Sequence, residues 1–172
     1  MQAEPDQKLN YYTPENYQEN AINITLDQGD NFYWDPIRVK RSALHQFAVY
    51  QWAEKIIKSR QVTKIVDVGC GYATKLSWLY GRIRGSDIWG VDQPHAIELC
   101  KKHYHFGKWI GVDLQSNPEL PPIKAELIIS SDVIEHLENP DILLEYFRKI
   151  IKPGGLVLIS TPERDMLRGK GC

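Results

Sequence analysis

The stretch Asp67-Val68-Gly69-Cys70-Gly71-Tyr72-Ala73-Thr74-Lys75-Leu76 decides how the rest of the chain is read. It follows the apolar pair Ile65-Val66, so an apolar run carrying one acid meets two glycines flanking a cysteine. Two readings are open at this point. A tight turn uses glycine because it tolerates positive φ angles. A ligand lying against the backbone uses it because a Cβ would stand in the way.

Outward from this turn the chain alternates. Lys64–Val68 is expected as a strand and Ala73–Tyr80 as a helix ending at Gly81. Asp87–Val91 reads as a strand, Pro94–Tyr104 as a helix and Lys108–Val112 as a third strand, followed by a connection containing Pro118, Pro121 and Pro122. Glu126–Ser130 is the fourth strand. Pro140–Ile151 is a helix capped by Asn139 and stopped by Pro153-Gly154, and Leu156–Ser160 is the fifth strand. Alternating strands and helices specify an α/β fold, a doubly wound and mainly parallel Rossmann-like sheet. Most of these strands are continuous apolar runs, as expected where helices cover both faces. Upstream, Asp35-Pro36 marks a helix start, and Val39, Leu44, Phe47, Ala48, Trp52 and Ile56 form its apolar stripe. Residues 1–60 are read as an N-terminal lid or helical segment and 61–172 as the α/β domain.

Bulk properties narrow the function. A net charge of -1 gives no electrostatic reason to expect nucleic acid or an anionic membrane surface as partner. No apolar run approaches the ~20 residues of a membrane span, and the polar start MQAEPDQKLN is no signal peptide. Cys70, Cys100 and Cys172 lack C-x-x-C spacing, so neither a disulfide framework nor a zinc site is read from them. A cytoplasmic location is expected.

Asp92 ends the second expected strand, about 20 residues beyond the glycines, where an acid can accept hydrogen bonds from both ribose hydroxyls of a nucleoside. It would also serve as N-cap for the helix beginning at Pro94. The third glycine of a dinucleotide fingerprint is replaced by Thr74, which weakens a nicotinamide or flavin reading. Asp67 suits a ligand carrying an ammonium group better than a diphosphate.

These segments together resemble the class I S-adenosylmethionine-dependent methyltransferases. "VDVGCGYAT" is similar to their first motif, whose Asp-x-Gly-x-Gly turn (here Asp67, Gly69, Cys70 and Gly71) holds the methionine part of the cofactor. "GVDQP" looks like the second, with Asp92 on the ribose and Gln93 beside it. "GVDL" looks like the segment that meets adenine through Asp113 and Leu114. "LIISSDVIEHL" matches the segment after the fourth strand, with Ser131 at the cofactor, and "IIKPGGLVLISTPE" the turn into the fifth strand. The motifs run in family order over about residues 62–163. One departure is Ala73, where the family often has a third glycine; alanine is tolerable there if the residue is already helical.

The resemblance implies methyl transfer to an oxygen, nitrogen or carbon of a small-molecule acceptor. His136 and Glu135, at the mouth of the site, are the candidate catalytic pair, since an imidazole suits a general base near neutrality; the competing reading is that they begin or cap the next loop. "DVIEHL" also resembles an E-x-x-E-H segment of metal-using methyltransferases, whose counterparts would be Asp132, Glu135 and His136 on one face of a helical turn; a divalent metal is possible but not favoured. The fold of this class has seven strands, so the chain reads as lacking its C-terminal strands, with the fifth strand an edge through which it would self-associate. A nicotinamide-dependent Rossmann oxidoreductase and a non-catalytic cofactor-binding module are the competing readings. Tyr11, Tyr12, Tyr17, Tyr33, Trp34 and His45 are either core or lid.

Overall fold

The computed structural model describes residues 36–116 and 118–161, with side chains from residue 46 onward. The expectations placed on Tyr11, Tyr12, Tyr17, Tyr33, Trp34, the Asp35 cap, the His45 side chain and residues 162–172 lie outside the described residues.

Helix α1 spans Pro36–Arg60. It is followed by β1 (Lys64–Val68), α2 (Thr74–Tyr80), β2 (Asp87–Asp92), α3 (Pro94–His103) and β3 (Lys108–Gly111). Then come β4 (Ala125–Ser131), a single 3-10 turn (Ile134–His136), α4 (Asp141–Ile150) and β5 (Ile151–Ser160). The strands pair in the order β3-β2-β1-β4-β5, every pairing parallel. The order reverses beside β1, because β4 pairs there while β2 occupies the other side. That reversal is where such sheets bind ligands, outside the carboxyl ends of the strands. Pairing of Val68 with Val91, Asp92 with Gly111 and Ser131 with Ser160 brings those ends close to level.

Successive strand residues point to opposite faces, and both faces are covered. Ile65, Leu127 and Ile129 pack with Tyr50, Ala53 and Ile57 of α1, Leu76 and Leu79 of α2, and Ile97 of α3. Val66, Val68 and Ile128 pack on the other side with Leu143, Tyr146, Phe147 and Ile150 of α4. This two-sided burial is why the strands read as unbroken apolar runs. Each fully buried Leu or Ile contributes roughly 1.5–3 kcal/mol relative to exposure.

Three local expectations are corrected. The buried stripe of α1 is Phe47, Tyr50, Ala53 and Ile57, whereas Trp52 is 60% exposed. Helical spacing of the large apolar residues suggested Trp52, while the buried stripe includes a tyrosine whose hydroxyl has a buried partner. Helix α2 starts at Thr74, because Ala73 has φ 55 and ψ 20 and is left-handed, not helical. Finally, β5 begins directly after α4. Ala125 pairs with Ile151 and Leu127 with Leu156, so Pro153-Gly154-Gly155 is extruded as a bulge inside the strand rather than preceding it. Proline has no N–H to give the ladder, and Gly154 takes a φ of +76.

Among the described strands β5 is the edge beside β4. Its Leu156 and Leu158 pack against the core, while Val157 and Ile159 are exposed.

Candidate functional site

The loops after β1, β2 and β3 converge at the carboxyl ends of the sheet. Three positive φ angles, at Gly69 (82), Gly71 (55) and Ala73 (55), fold the chain sharply between β1 and α2. Gly69 is glycine for a second reason: an added Cβ would lie 2.1 Å from Cγ2 of Val133 in the loop after β4. The turn is tied to β2, since the N–H groups of Gly69 and Cys70 donate to the Val91 carbonyl at 2.8 and 3.3 Å. The N–H of Gly71 donates to Oδ2 of Asp92 at 2.7 Å.

Asp92 therefore braces the glycine turn. Its Oδ1 accepts from the backbone N–H of Gln93 at 2.7 Å. The expected N-cap role is corrected: Gln93 occupies the cap position of α3, and no side chain caps that helix. Each Asp92 oxygen retains a second lone pair for a further donor. Burial holds the Asp92 carboxyl above the usual range, against the pull of the Gly71 and Gln93 N–H groups and of Lys75.

Asp67 is fully buried, in β1 just before the turn. Oδ2 accepts from the Tyr50 hydroxyl at 2.8 Å, and Oδ1 has no partner among the described residues. Burial pushes its pKa up to about 7; the Tyr50 bond and Lys75 oppose that rise, and the charge of Asp92 adds to it. A buried carboxylate oxygen without a donor is costly, and here it stands beside a turn of left-handed residues at the sheet's switch point. Asp113, beyond β3, is exposed and accepts from the N–H of Gln115 at 2.9 Å. Leu114 is half-buried against the α4 side of the core.

The thiol of Cys70 turns away from this convergence into the core, 3% exposed, and with Cys100 it approaches the Gly71 carbonyl, at 3.6 and 3.3 Å. Burial, with Cys100 alongside, pushes the Cys70 thiol far up, leaving it inert. Any contact Cys70 offers a ligand must come from its backbone.

At the ends of β4 and β5 a second polar group forms. Ser131 is buried and shares a hydrogen bond with Ser160 at 2.8 Å. Asp132 is left-handed, with φ 55. Its Oδ1 accepts from Ser160 at 2.9 Å and its Oδ2 from Nε2 of Gln46 at 2.8 Å. Glu135 and His136 lie in the 3-10 turn and are exposed. Partial burial and Asp132 raise the Glu135 carboxyl, with His136 and the Thr161 hydroxyl opposing. The metal trio does not assemble: among the described residues no three His, Cys, Asp or Glu side chains form a group that could hold an ion. The i, i+3, i+4 spacing fails because Asp132 precedes the turn in a left-handed conformation, with its carboxylate turned to Gln46 and Ser160.

Gln46, Tyr50, Lys75 and Ser160 escaped the sequence reading. Gln46 and Tyr50 are four residues apart on α1 and so share a face; two polar groups beside an apolar stripe were the available signal. Nothing local marked Ser160, which meets Ser131 and Asp132 only through the pairing of β5 with β4.

A family model described as a methyltransferase domain matches residues 38–170. The chain belongs to that family. Relatives of this methyltransferase domain include a ubiquinone biosynthesis O-methyltransferase of Leptothrix cholodnii, 26% identical over 144 residues, covering 77% of this chain and 59% of the relative. The mitochondrial ubiquinone biosynthesis O-methyltransferase of Schizosaccharomyces pombe is 32% identical over 111 residues, covering 60% and 39%. Among solved structures, the plantazolicin methyltransferase BpumL in complex with a desmethylPZN analog and SAH superposes with a TM-score of 0.63 at 19% identity, covering 88% of this chain and 64% of that one. SAM-bound CalS10, an amino pentose methyltransferase from Micromonospora echinaspora, gives 0.58 at 15% identity, covering 67% and 50%. These similarities show that the domain has the class I methyltransferase fold, and the family match displaces the nicotinamide oxidoreductase reading. The chain spans about three fifths or less of the length of these relatives.

Proposed function

We propose that this methyltransferase domain binds S-adenosylmethionine across the carboxyl ends of β1, β2 and β3 and directs its methyl group to a small-molecule acceptor. The observation that carries the reading is the buried Oδ1 of Asp67, without a partner among the described residues, beside the Gly69–Ala73 turn. An acid so placed fits an ammonium group, Asp92 one strand over fits a ribose diol, and Asp113 after the third strand fits the amino group of adenine. The names of the relatives support the reaction class, and the SAH and SAM in the solved neighbours support the ligand.

Bound there, S-adenosylmethionine would supply a sulfonium methyl group as the electrophile. The chain's task is to hold the acceptor in line and receive its proton. Glu135 and His136 are exposed beside the Asp132 network, so they can reach an acceptor, and an acid with a raised pKa or an imidazole is a competent proton acceptor near neutrality. His136→Ala is expected to leave cofactor affinity within about twofold while slowing transfer roughly 10²-fold or more. The relatives' names, ubiquinone biosynthesis O-methyltransferase, favour an oxygen as the methylated atom.

Thermal unfolding of the protein with S-adenosylmethionine, S-adenosylhomocysteine, NAD or NADP tests the ligand class. Stabilisation by the first two alone is the expected result. Stabilisation by a nicotinamide nucleotide alone, or by none of the four, contradicts the reading.

A further inference from the structure

Asp132 stands just beyond the end of β4 with φ 55, a backbone state that a non-glycine residue keeps only where its surroundings impose it. Its N–H is tied to the Ser160 carbonyl at 3.0 Å. Its carboxylate is met by donors: the Ser160 hydroxyl reaches Oδ1 at 2.9 Å, and Nε2 of Gln46 reaches Oδ2 at 2.8 Å. The single Ser160 hydroxyl proton is used there, so in the 2.8 Å contact between Ser131 and Ser160 the buried Ser131 is the donor. Each Asp132 oxygen keeps a second lone pair, and the residue is only half-buried. Among the described residues no lysine or arginine forms an ion pair with it. The result is a carboxylate fixed in direction, open on one side and without a direct cationic partner.

This carboxylate borders the glycine turn. Val133, the next residue, fills the space where a Gly69 side chain would lie. On α1, Gln46 holds Asp132 and Tyr50 holds Asp67; residues four apart are separated by about 6 Å along a helix, so the two acids sit side by side beneath one helix. With adenine, ribose and ammonium assigned to the ends of β3, β2 and β1, the strand ends left for an acceptor are those of β4 and β5. The methyl group has to face that acceptor, and Asp132 stands there. S-Adenosylmethionine carries a positive sulfur at this place and S-adenosylhomocysteine a neutral one.

We propose that Asp132, aimed by Gln46 and Ser160, is the counter-charge to the sulfonium and makes the domain hold the methyl donor more tightly than the demethylated product. This deepens the cofactor reading above and rests on it. Asp132 is then a specificity residue for the charge on sulfur, and Gln46 is a positioning residue acting through it. Spent nucleoside is released in favour of fresh donor without any change in the contacts to its ribose or adenine.

The test is a comparison of affinities by calorimetric titration. S-Adenosylmethionine, S-adenosylhomocysteine and sinefungin, whose amine places a cation next to the sulfur position, are titrated into wild type, Asp132→Asn and Gln46→Leu. Wild type is expected to prefer both cationic ligands over S-adenosylhomocysteine by about fivefold or more, a discounted value for a half-exposed charge pair. Asp132→Asn, which tolerates the left-handed backbone, is expected to erase the preference while leaving S-adenosylhomocysteine within about twofold. Gln46→Leu is expected to reduce the preference part way, because Ser160 still holds Oδ1; a purely structural loss would weaken all three ligands alike. If Asp132→Asn fails to fold, Asp132→Gly, suited to the same backbone, replaces it. No preference in wild type, a preference confined to S-adenosylmethionine, or one that survives loss of the acid overturns the Asp132 assignment and leaves the cofactor reading standing. An unchanged preference in Gln46→Leu overturns the part given to Gln46. Failure of wild type to bind any of the three overturns both readings.

Discussion

The hydroxyl of Tyr50 donates to Oδ2 of Asp67 across 2.8 Å, joining helix α1 to the strand that enters the glycine turn. The bond couples the position of α1 to the ionisation of the buried acid. Asp67 has a pKa raised from 3.8 to about 7 by burial first. A folded-state pKa above the unfolded one means that the folded protein binds the proton more tightly. The stability that Asp67 contributes is therefore full below about pH 4 and is lost as pH rises towards 7, at up to about 1.4 kcal/mol per pH unit. Ligand binding runs the other way, since an ammonium needs the ionised acid. Affinity for S-adenosylhomocysteine is expected to climb between about pH 5 and pH 7 and then level off, and Asp67→Asn to abolish both trends. Calorimetric titrations and melts across that range check both, and a flat wild-type binding profile would count against Asp67 as the ammonium partner.

Tyr50→Phe removes the one side-chain donor Asp67 has among the described residues. The pKa of Asp67 should move further up, and stability at neutral pH should fall by about 1.5–3 kcal/mol, the range for a hydrogen bond to a charged group. The decisive readout is the shift of the binding profile towards higher pH, which lost packing alone would not produce.

Gly69 faces both a positive φ and a clash with Val133. Gly69→Ala is expected to cost about 3 kcal/mol or more, combining left-handed strain with overpacking. Val133→Ala in the same chain should recover only the packing share. Chemical denaturation of the single and double variants measures that recovery; additive losses would mean the turn and the β4 loop do not touch.

Ala73 presents the opposite case. Its left-handed backbone costs roughly 1–2 kcal/mol, while its fully buried methyl and the restricted unfolded chain return about 0.8 and 0.4–1 kcal/mol. These offset, so Ala73→Gly should change stability by less than about 1 kcal/mol despite the residue being 0% exposed. Ala73→Val, β-branched and left-handed, should be severely destabilising. A loss above about 2 kcal/mol in Ala73→Gly would contradict the balance.

The sheet was legible because two-sided burial leaves apolar runs, and Lys64–Val68 was read to its exact ends. The acids at the strand ends were legible because strand length and turn glycines fix where the chain leaves the sheet. What stayed hidden depended on contacts distant in sequence. Gln46 meets Asp132 across 86 positions, and no local pattern encodes such a pair. Ala73 misled because alanine is a strong helix former, yet the turn's geometry overrides that preference by holding it between Gly71 and α2. Trp52 misled because it fits the helical spacing with Ala48 and Ile56, whereas Ala53 beside it is the buried residue.

The central claim is that a nucleoside cofactor lies across β1, β2 and β3 with Asp92 at its ribose. Calorimetric titration of S-adenosylhomocysteine into wild type and Asp92→Ala, both first shown to be folded, tests it most directly. One site per chain in wild type is expected, weakened by about tenfold or more in the variant through loss of charge-assisted hydrogen bonds and of the Gly71 brace. Equal affinity in the two proteins would contradict it.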